Sequence, residues 1–167
     1  MLFDNKANEI GKALLERNET ISVAESVTSG YVQALLSSAV NAEQFYQGGI
    51  TAYNLGQKCK HLAIEPVAAK KNNCVSEDVA KQMSIGVNKL FLSDYGVSIT
   101  GYAAPYPEEN IQDVFAYFAI GYNDKIIESG RLSSQKDTPE LVQIDYAQQV
   151  LEKLYNVIKT NLTADNK

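Results

Sequence analysis

The chain has 167 residues, 45% of them apolar and 21% charged, with 15 basic side chains against 20 acidic ones. That length buries a core without staples, and the composition is that of a globular domain rather than a disordered segment. A formal net charge of -5 argues against nucleic acid or an anionic membrane as partner, and two cysteines with one histidine exclude a disulfide framework and most metal sites.

The first seventeen residues carry Asp4, Lys6, Glu9 and Lys12 inside any window that could serve as a signal-peptide core. No later span is apolar enough to cross a bilayer. The expectation is a cytoplasmic chain with reduced thiols at Cys59 and Cys74, and no linker or repeat divides it.

Ile10, Ala13 and Leu14 recur at helical spacing, which predicts an amphipathic helix ending near Asn18. Ile21 and Val23 alternate with polar neighbours as a short strand does. The stretch Glu25 to Gly30 then breaks into small hydroxyl residues before Val32, Leu35 and Leu36 resume on one helical face. A helix from about Thr28 to Ser38 follows. Ser26 and Thr28 both suit an N-cap, since their side-chain oxygens accept from the orphan donors of a first turn. Such a turn also directs N–H groups at an anion and exposes a hydroxyl for attack.

Ala39 to Gln44 reads as a loop that returns Phe45 and Tyr46 to the core. Gly48 and Gly49 open a second strand pattern over Ile50 to Tyr53. One or two helical turns around Lys58, Lys60 and His61 close before Pro66, and His61 is given no role. Ser76, with Glu77 and Asp78 behind it, starts a helix whose buried stripe is Val79, Met83, Val87 and Leu90.

Val97 and Ile99 form a strand that exits at Thr100 and Gly101 into a loop with Pro105 and Pro107. The β-rich runs Val114 to Tyr122 and Ile126 to Leu132 flank Asn123-Asp124 as an antiparallel hairpin would. Thr138-Pro139-Glu140 starts a helix of about twenty-five residues with an apolar stripe at Leu141, Ile144, Ala147, Leu151, Leu154, Ile158 and Leu162. The sum is a three-layer α/β/α sandwich with a mixed, mostly parallel sheet, a C-terminal antiparallel hairpin and a long last helix. Ligands collect outside the C-terminal ends of parallel strands, where the turns Glu25 to Gly30, Tyr53 to Lys58 and Thr100 to Pro105 compete for one edge.

Those three turns, in that order, resemble the signature of the CinA C-terminal domain family, whose characterised members are nicotinamide mononucleotide deamidases. The matching residues are Ala24-Glu25-Ser26 with Thr28 and Gly30, Phe45 with Gly48-Gly49, and Ala52-Tyr53-Asn54 with Lys58. Further on come Val75-Ser76-Glu77 with Val79, Ala80 and Met83, Asp94-Tyr95, and Thr100-Gly101 with Ala103 and Pro105. The likeness runs from about residue 8 to 160, so residues 1–167 are expected to form one such domain.

The resemblance implies hydrolysis of a carboxamide to the acid and ammonia, with no metal or other cofactor, on a small-molecule substrate such as a pyridine nucleotide. Ser26 would be the nucleophile, Lys58 its base and Tyr53 a proton relay, with Thr28 as the alternative nucleophile. Backbone N–H groups around Thr28, Ser29 and Gly30 would hold the oxyanion or the substrate phosphate. Glu25, Gly48, Gly49, Asn54, Thr100, Gly101 and Ala103 complete the expected substrate contacts.

The chain also departs from the family pattern. Val27 and Ser29 replace a cysteine and a glycine, Ala104 replaces another glycine, and Tyr106 to Gln112, with the acids Glu108 and Glu109, replace the family's glycine-rich loop. No arginine lies between Ser133 and Gln149, where Lys136 is the only cation. Two readings follow, an amidohydrolase with weakened phosphate binding, or a degenerate member kept as a binding or structural subunit. Ten tyrosines leave apolar area that a homodimer would cover.

Overall fold

The computed structural model describes residues 2–164. Helix α1 (Leu2–Glu16) leads into strand β1 (Ile21–Glu25), then α2 (Tyr31–Ser37), the single turn α3 (Ala42–Phe45) and β2 (Tyr46–Thr51). Helices α4 (Leu55–Leu62), α5 (Pro66–Lys71) and α6 (Glu77–Phe91) precede β3 (Tyr95–Gly101), and a 3-10 turn spans Pro107–Glu109. The hairpin β4 (Phe115–Tyr122) and β5 (Lys125–Ser133) and the long α7 (Pro139–Ala164) complete the chain.

The strands form one sheet of order β2-β1-β3-β4-β5. β1 pairs parallel with both β2 and β3, and the β3–β4 and β4–β5 pairs are antiparallel, so only β4 opposes the common direction. Asn123 and Asp124, at φ of 48° and 62°, turn the hairpin, because a turn with both central residues left-handed matches the twist of its strands. The mixed sheet, its terminal hairpin and its long last helix are as the pattern predicts.

Alternation along the strands separates two cores. Ile21, Val23, Tyr95, Val97, Ile99, Phe118 and Ile120 face α1, α2 and α7, whose Ile10, Leu14, Leu36, Tyr146 and Leu154 complete the larger core. The opposite face carries Ser22, Ala24, Gly96, Ser98 and Ala119, and α6 lies close against it. A Cβ at Gly96 would stand 2.3 Å from the Ser84 carbonyl oxygen, so the approach needs glycine there. Hydroxyls cross the narrow gap: Ser98 donates to Ala80 O at 2.5 Å, and Ser84 donates to Gly96 O at 2.7 Å. Each satisfies a group that the contact removes from water.

Several sequence boundaries move. α2 starts at Tyr31 instead of near Thr28, because Ser29 and Gly30 take φ of 50° and 110° and hold the chain out of the helix. β2 begins at Tyr46, so Gly48 and Gly49 lie within the strand, and a turn of helix sits where Ala39 to Gln44 reads as loop. Pro66 opens α5 rather than only closing α4, with Glu65 accepting from Val67 N and Ala68 N. Leu90 is exposed and Asn88 is buried in its place, while Leu141 is exposed and Val142 and Tyr146 carry the start of the α7 stripe. Leu162 lies outside the residues whose side chains are described.

Candidate functional site

β1 delivers Ser26 one residue beyond its last paired position, where Ser26 N donates to Ile99 O at 3.0 Å. Asn54 caps α4, its side chain accepting from Gln57 N at 3.0 Å, and one turn later Lys58 falls on the face that packs toward the sheet. Lys58 is 1% exposed. Its Nζ donates to Ser26 Oγ at 3.0 Å and to the Tyr53 carbonyl at 3.0 Å. Among the described residues it forms no ion pair. Burial therefore pushes the Lys58 ammonium below its ordinary value, and the neighbouring Cys74 only opposes that shift. The Cys74 thiol is pushed up, chiefly by its own burial.

Around this pair opens a cleft of about 520 Å³. The turns after β1, β2 and β3 all reach it, contributing Ser26 and Val27, Tyr53, Asn54 and Leu55, and Thr100 to Pro105. Asn73 to Val75 close one side, and Tyr106 with Pro139 and Gln143 of α7 closes the other. This volume lies within the usual range for small-molecule pockets. Thr100 is buried, with its hydroxyl donating to Cys74 O at 2.8 Å. Gly101 faces β4 so closely that a Cβ would meet Ala116 at 2.5 Å, which accounts for glycine there without any ligand.

The start of α2 is differently employed than the sequence suggests. The fully buried Glu25 carboxylate accepts from Gly30 N at 3.0 Å, Val32 N at 3.1 Å and Gln33 N at 2.8 Å, and the Thr28 hydroxyl donates to it as well. A side chain of the protein thus takes the place of the expected substrate phosphate. Thr28 is fully buried with its hydroxyl committed to Glu25, so it does not face the cleft as an alternative nucleophile. The backbone N–H groups of Val27 and Thr28, which follow Ser26, have no partner among the described residues.

The structure thus gathers Ser26, Tyr53, Asn54, Lys58, Thr100, Gly101 and Ala103 at one cleft. Tyr53 meets Lys58 through its carbonyl, and its side chain is 71% exposed, so no phenol stands between Lys58 and Ser26 as a relay. Glu25 lies behind the cleft, and Thr28, exposed Ser29 and Gly30 do not line it. Gly48 and Gly49 are also elsewhere: Cβ atoms there would meet Phe91 at 3.0 Å and Gln33 at 2.7 Å, a packing reason for both glycines. Glu108 and Glu109 lie in the 3-10 turn, outside the lining.

Sequence reasoning misses Gln143, whose Nε2 donates to Val27 O at 2.8 Å across 116 positions of chain. The helix start at Thr138-Pro139 is the one local signal that places α7's first turns near anything. A second cleft of about 520 Å³ shares Ala103 to Pro105 and Pro139 with the first and holds Arg131, Lys136, Asp113 and Asp137. Arg131 sits 4.4 Å from the centre of the Phe115 ring. Among the described residues, no three His, Cys, Asp or Glu side chains gather as a metal set, and no helix is long and apolar enough to cross a membrane.

Comparison with known proteins follows the same outline. The family model for the CinA C-terminal domain matches residues 4–158. A CinA-like protein of Rippkaea orientalis is 38% identical over 99 residues, covering 59% of this chain and 24% of that protein. Another from Prochlorococcus marinus is 40% identical over 103 residues, covering 61% and 24%. The chain spans about a quarter of the length of the curated relatives it matches. Among solved structures, a CinA superfamily protein from Klebsiella pneumoniae superposes with a TM-score of 0.88 at 23% identity, over 95% of this chain and 98% of that one. One from Enterobacter cloacae gives 0.87 at 21% identity, over 93% and 92%. These structural likenesses concern the fold.

Proposed function

The chain belongs to the CinA C-terminal domain family, and from that premise we propose that it hydrolyses a small primary carboxamide to the acid and ammonia. This is the reaction class of nicotinamide mononucleotide deamidation. The observation that carries the reading is the 3.0 Å contact between a buried, ion-pair-free Lys58 and Ser26 Oγ at the floor of an open cleft. A serine hydroxyl is a weak nucleophile, and a lysine with a lowered pKa supplies the neutral amine that can take its proton.

In the proposed sequence Ser26 Oγ attacks the amide carbonyl carbon as its proton passes to Lys58 Nζ. The oxyanion is held by the free N–H of Val27, the residue after Ser26 in the cleft lining. Lys58 then returns the proton to the departing nitrogen, ammonia leaves, and an ester to Ser26 remains. Water, deprotonated by Lys58, attacks that ester and releases the acid and the free serine. Proton, nucleophile and leaving group balance without a further reactant.

The test is ammonia release by the purified protein, without added metal, from a panel of pyridine carboxamides that includes nicotinamide mononucleotide. Ser26→Ala should lower the rate at least about a thousandfold, because it removes the attacking oxygen. Release that survives this substitution would remove Ser26 from the reaction. No release from any amide would leave a ligand-binding or structural subunit.

A further inference from the structure

The lining of the Ser26 cleft discriminates between charges. Lys58 is the only lysine, arginine, aspartate or glutamate among the described residues that line it. Two of the donors of its Nζ are engaged by Ser26 and by the Tyr53 carbonyl. Immediately behind the cleft the Glu25 carboxylate accepts from the N–H groups of Gly30, Val32 and Gln33, so these donors at the start of α2 are not available to a ligand. An anion entering here would shed water for a single buried amine that already holds Ser26 and the Tyr53 carbonyl, and would meet a like charge across protein.

The remaining lining suits a flat amide. Gln143 donates its Nε2 to Val27 O, which fixes which end of its amide is which, and its Oε1 has no partner among the described residues. That oxygen is an acceptor for a carboxamide N–H. Tyr53, Tyr102 and Tyr106 line the same space, and Tyr102 is steadied edge-on against Phe115 at a ring separation of 5.5 Å. Aromatic walls favour a planar ring, neutral or cationic. The nearest basic pair lining a cleft, Arg131 and Lys136, belongs to the second one beyond Ala103 to Pro105, where Asp113 and Asp137 balance it.

We infer that the substrate of this site is a non-anionic aromatic carboxamide, a free pyridine amide or its nucleoside, recognised through Gln143 and the tyrosine walls, rather than a phosphorylated nucleotide. This rests on the amide-hydrolase reading above. It adds that the site selects against phosphate.

The experiment compares nicotinamide, nicotinamide riboside and nicotinamide mononucleotide, by kcat/KM of ammonia release from the wild-type protein and by calorimetric affinity for Ser26→Ala. The better of the two unphosphorylated amides should exceed the nucleotide at least about tenfold in both measurements. A carbonyl-matched N,N-dimethylnicotinamide, which has no N–H to donate, should bind wild type and Gln143→Leu equally, while nicotinamide should lose about tenfold on that substitution. Equal or better use of the nucleotide would overturn the inference and leave the hydrolase reading intact, as would a rise in its KM alone on Arg131→Ala. Preferential binding of the unphosphorylated amides with no ammonia release from any would do the reverse. Absence of binding by all three would overturn the inference.

Discussion

The two ends of the sheet treat buried charge in opposite ways. Where β1 and β3 begin, Glu19 is met by Arg17 Nη2 at 3.1 Å and by the Tyr122 hydroxyl at 2.7 Å. The Asp94 carboxylate accepts from Thr20 N at 2.7 Å and from its hydroxyl at 2.9 Å. Asn88 accepts from Asp124 N at 3.0 Å and donates to Ser93 O. Where the same strands end, Lys58 is buried against a hydroxyl and a carbonyl, with no ion pair to a carboxylate among the described residues. One end spends its polar groups on holding turns together. The other keeps a cation short of solvation, the condition that favours the neutral amine over the ammonium.

Lys58→Met puts that contrast under the greatest load. It removes the proposed base, so ammonia release should fall at least about a hundredfold. It also replaces a buried ammonium by an apolar chain of similar length, so the folded state should gain about 1–2 kcal/mol and Tm should rise by about 3–6 °C. Calorimetry on the same preparation reads both, and a Tm that falls would mean Lys58 holds the fold.

Glu25→Ala tests the boundary, since Glu25 lies at the cleft end yet works like the residues of the other. Three backbone donors and the Thr28 hydroxyl lose their acceptor, so denaturant unfolding should show a loss of about 2–4 kcal/mol. An inorganic phosphate that restores this stability would show that the α2 start can accept an external anion. Asp94→Ala should cost about 1–2 kcal/mol by the same measurement, with kcat unchanged, because its partners Thr20 N and Oγ1 only join two strand starts.

The smallest effect is in alkali, and it has opposite signs at the two ends. Lys58 is lowered in the folded chain, so between that value and the ordinary lysine value of 10.5 the unfolded chain binds more protons and stability rises with pH. Tyr122 is raised, first by its hydrogen bond to Glu19. Above the ordinary tyrosine value of 10.0 the folded chain holds the proton longer, so that contribution is present below pH 10 and is lost as pH climbs. Urea titrations from pH 8 to 11 should show Lys58→Met flattening the rise and Tyr122→Phe flattening the fall.

The sequence by itself determined what depends on neighbours within a few residues. Apolar spacing set the register of α1 and α6, Ser76 and Thr138 marked helix starts, and Asn123-Asp124 marked the hairpin, because caps and turns are short-range geometry. It also limited the site to three turns after apolar strands, since parallel strands share one end. The pairing of Ser26 with Lys58 came from resemblance, as no spacing rule links positions 32 apart. Only the tertiary structure decided that Glu25 closes the helix start, that Gln143 of a distant helix fixes the turn after Ser26, and that Tyr53 offers a carbonyl. Desolvation and hydrogen-bond competition are settled by which atoms are brought together and which lose water, and packing of the whole chain fixes both.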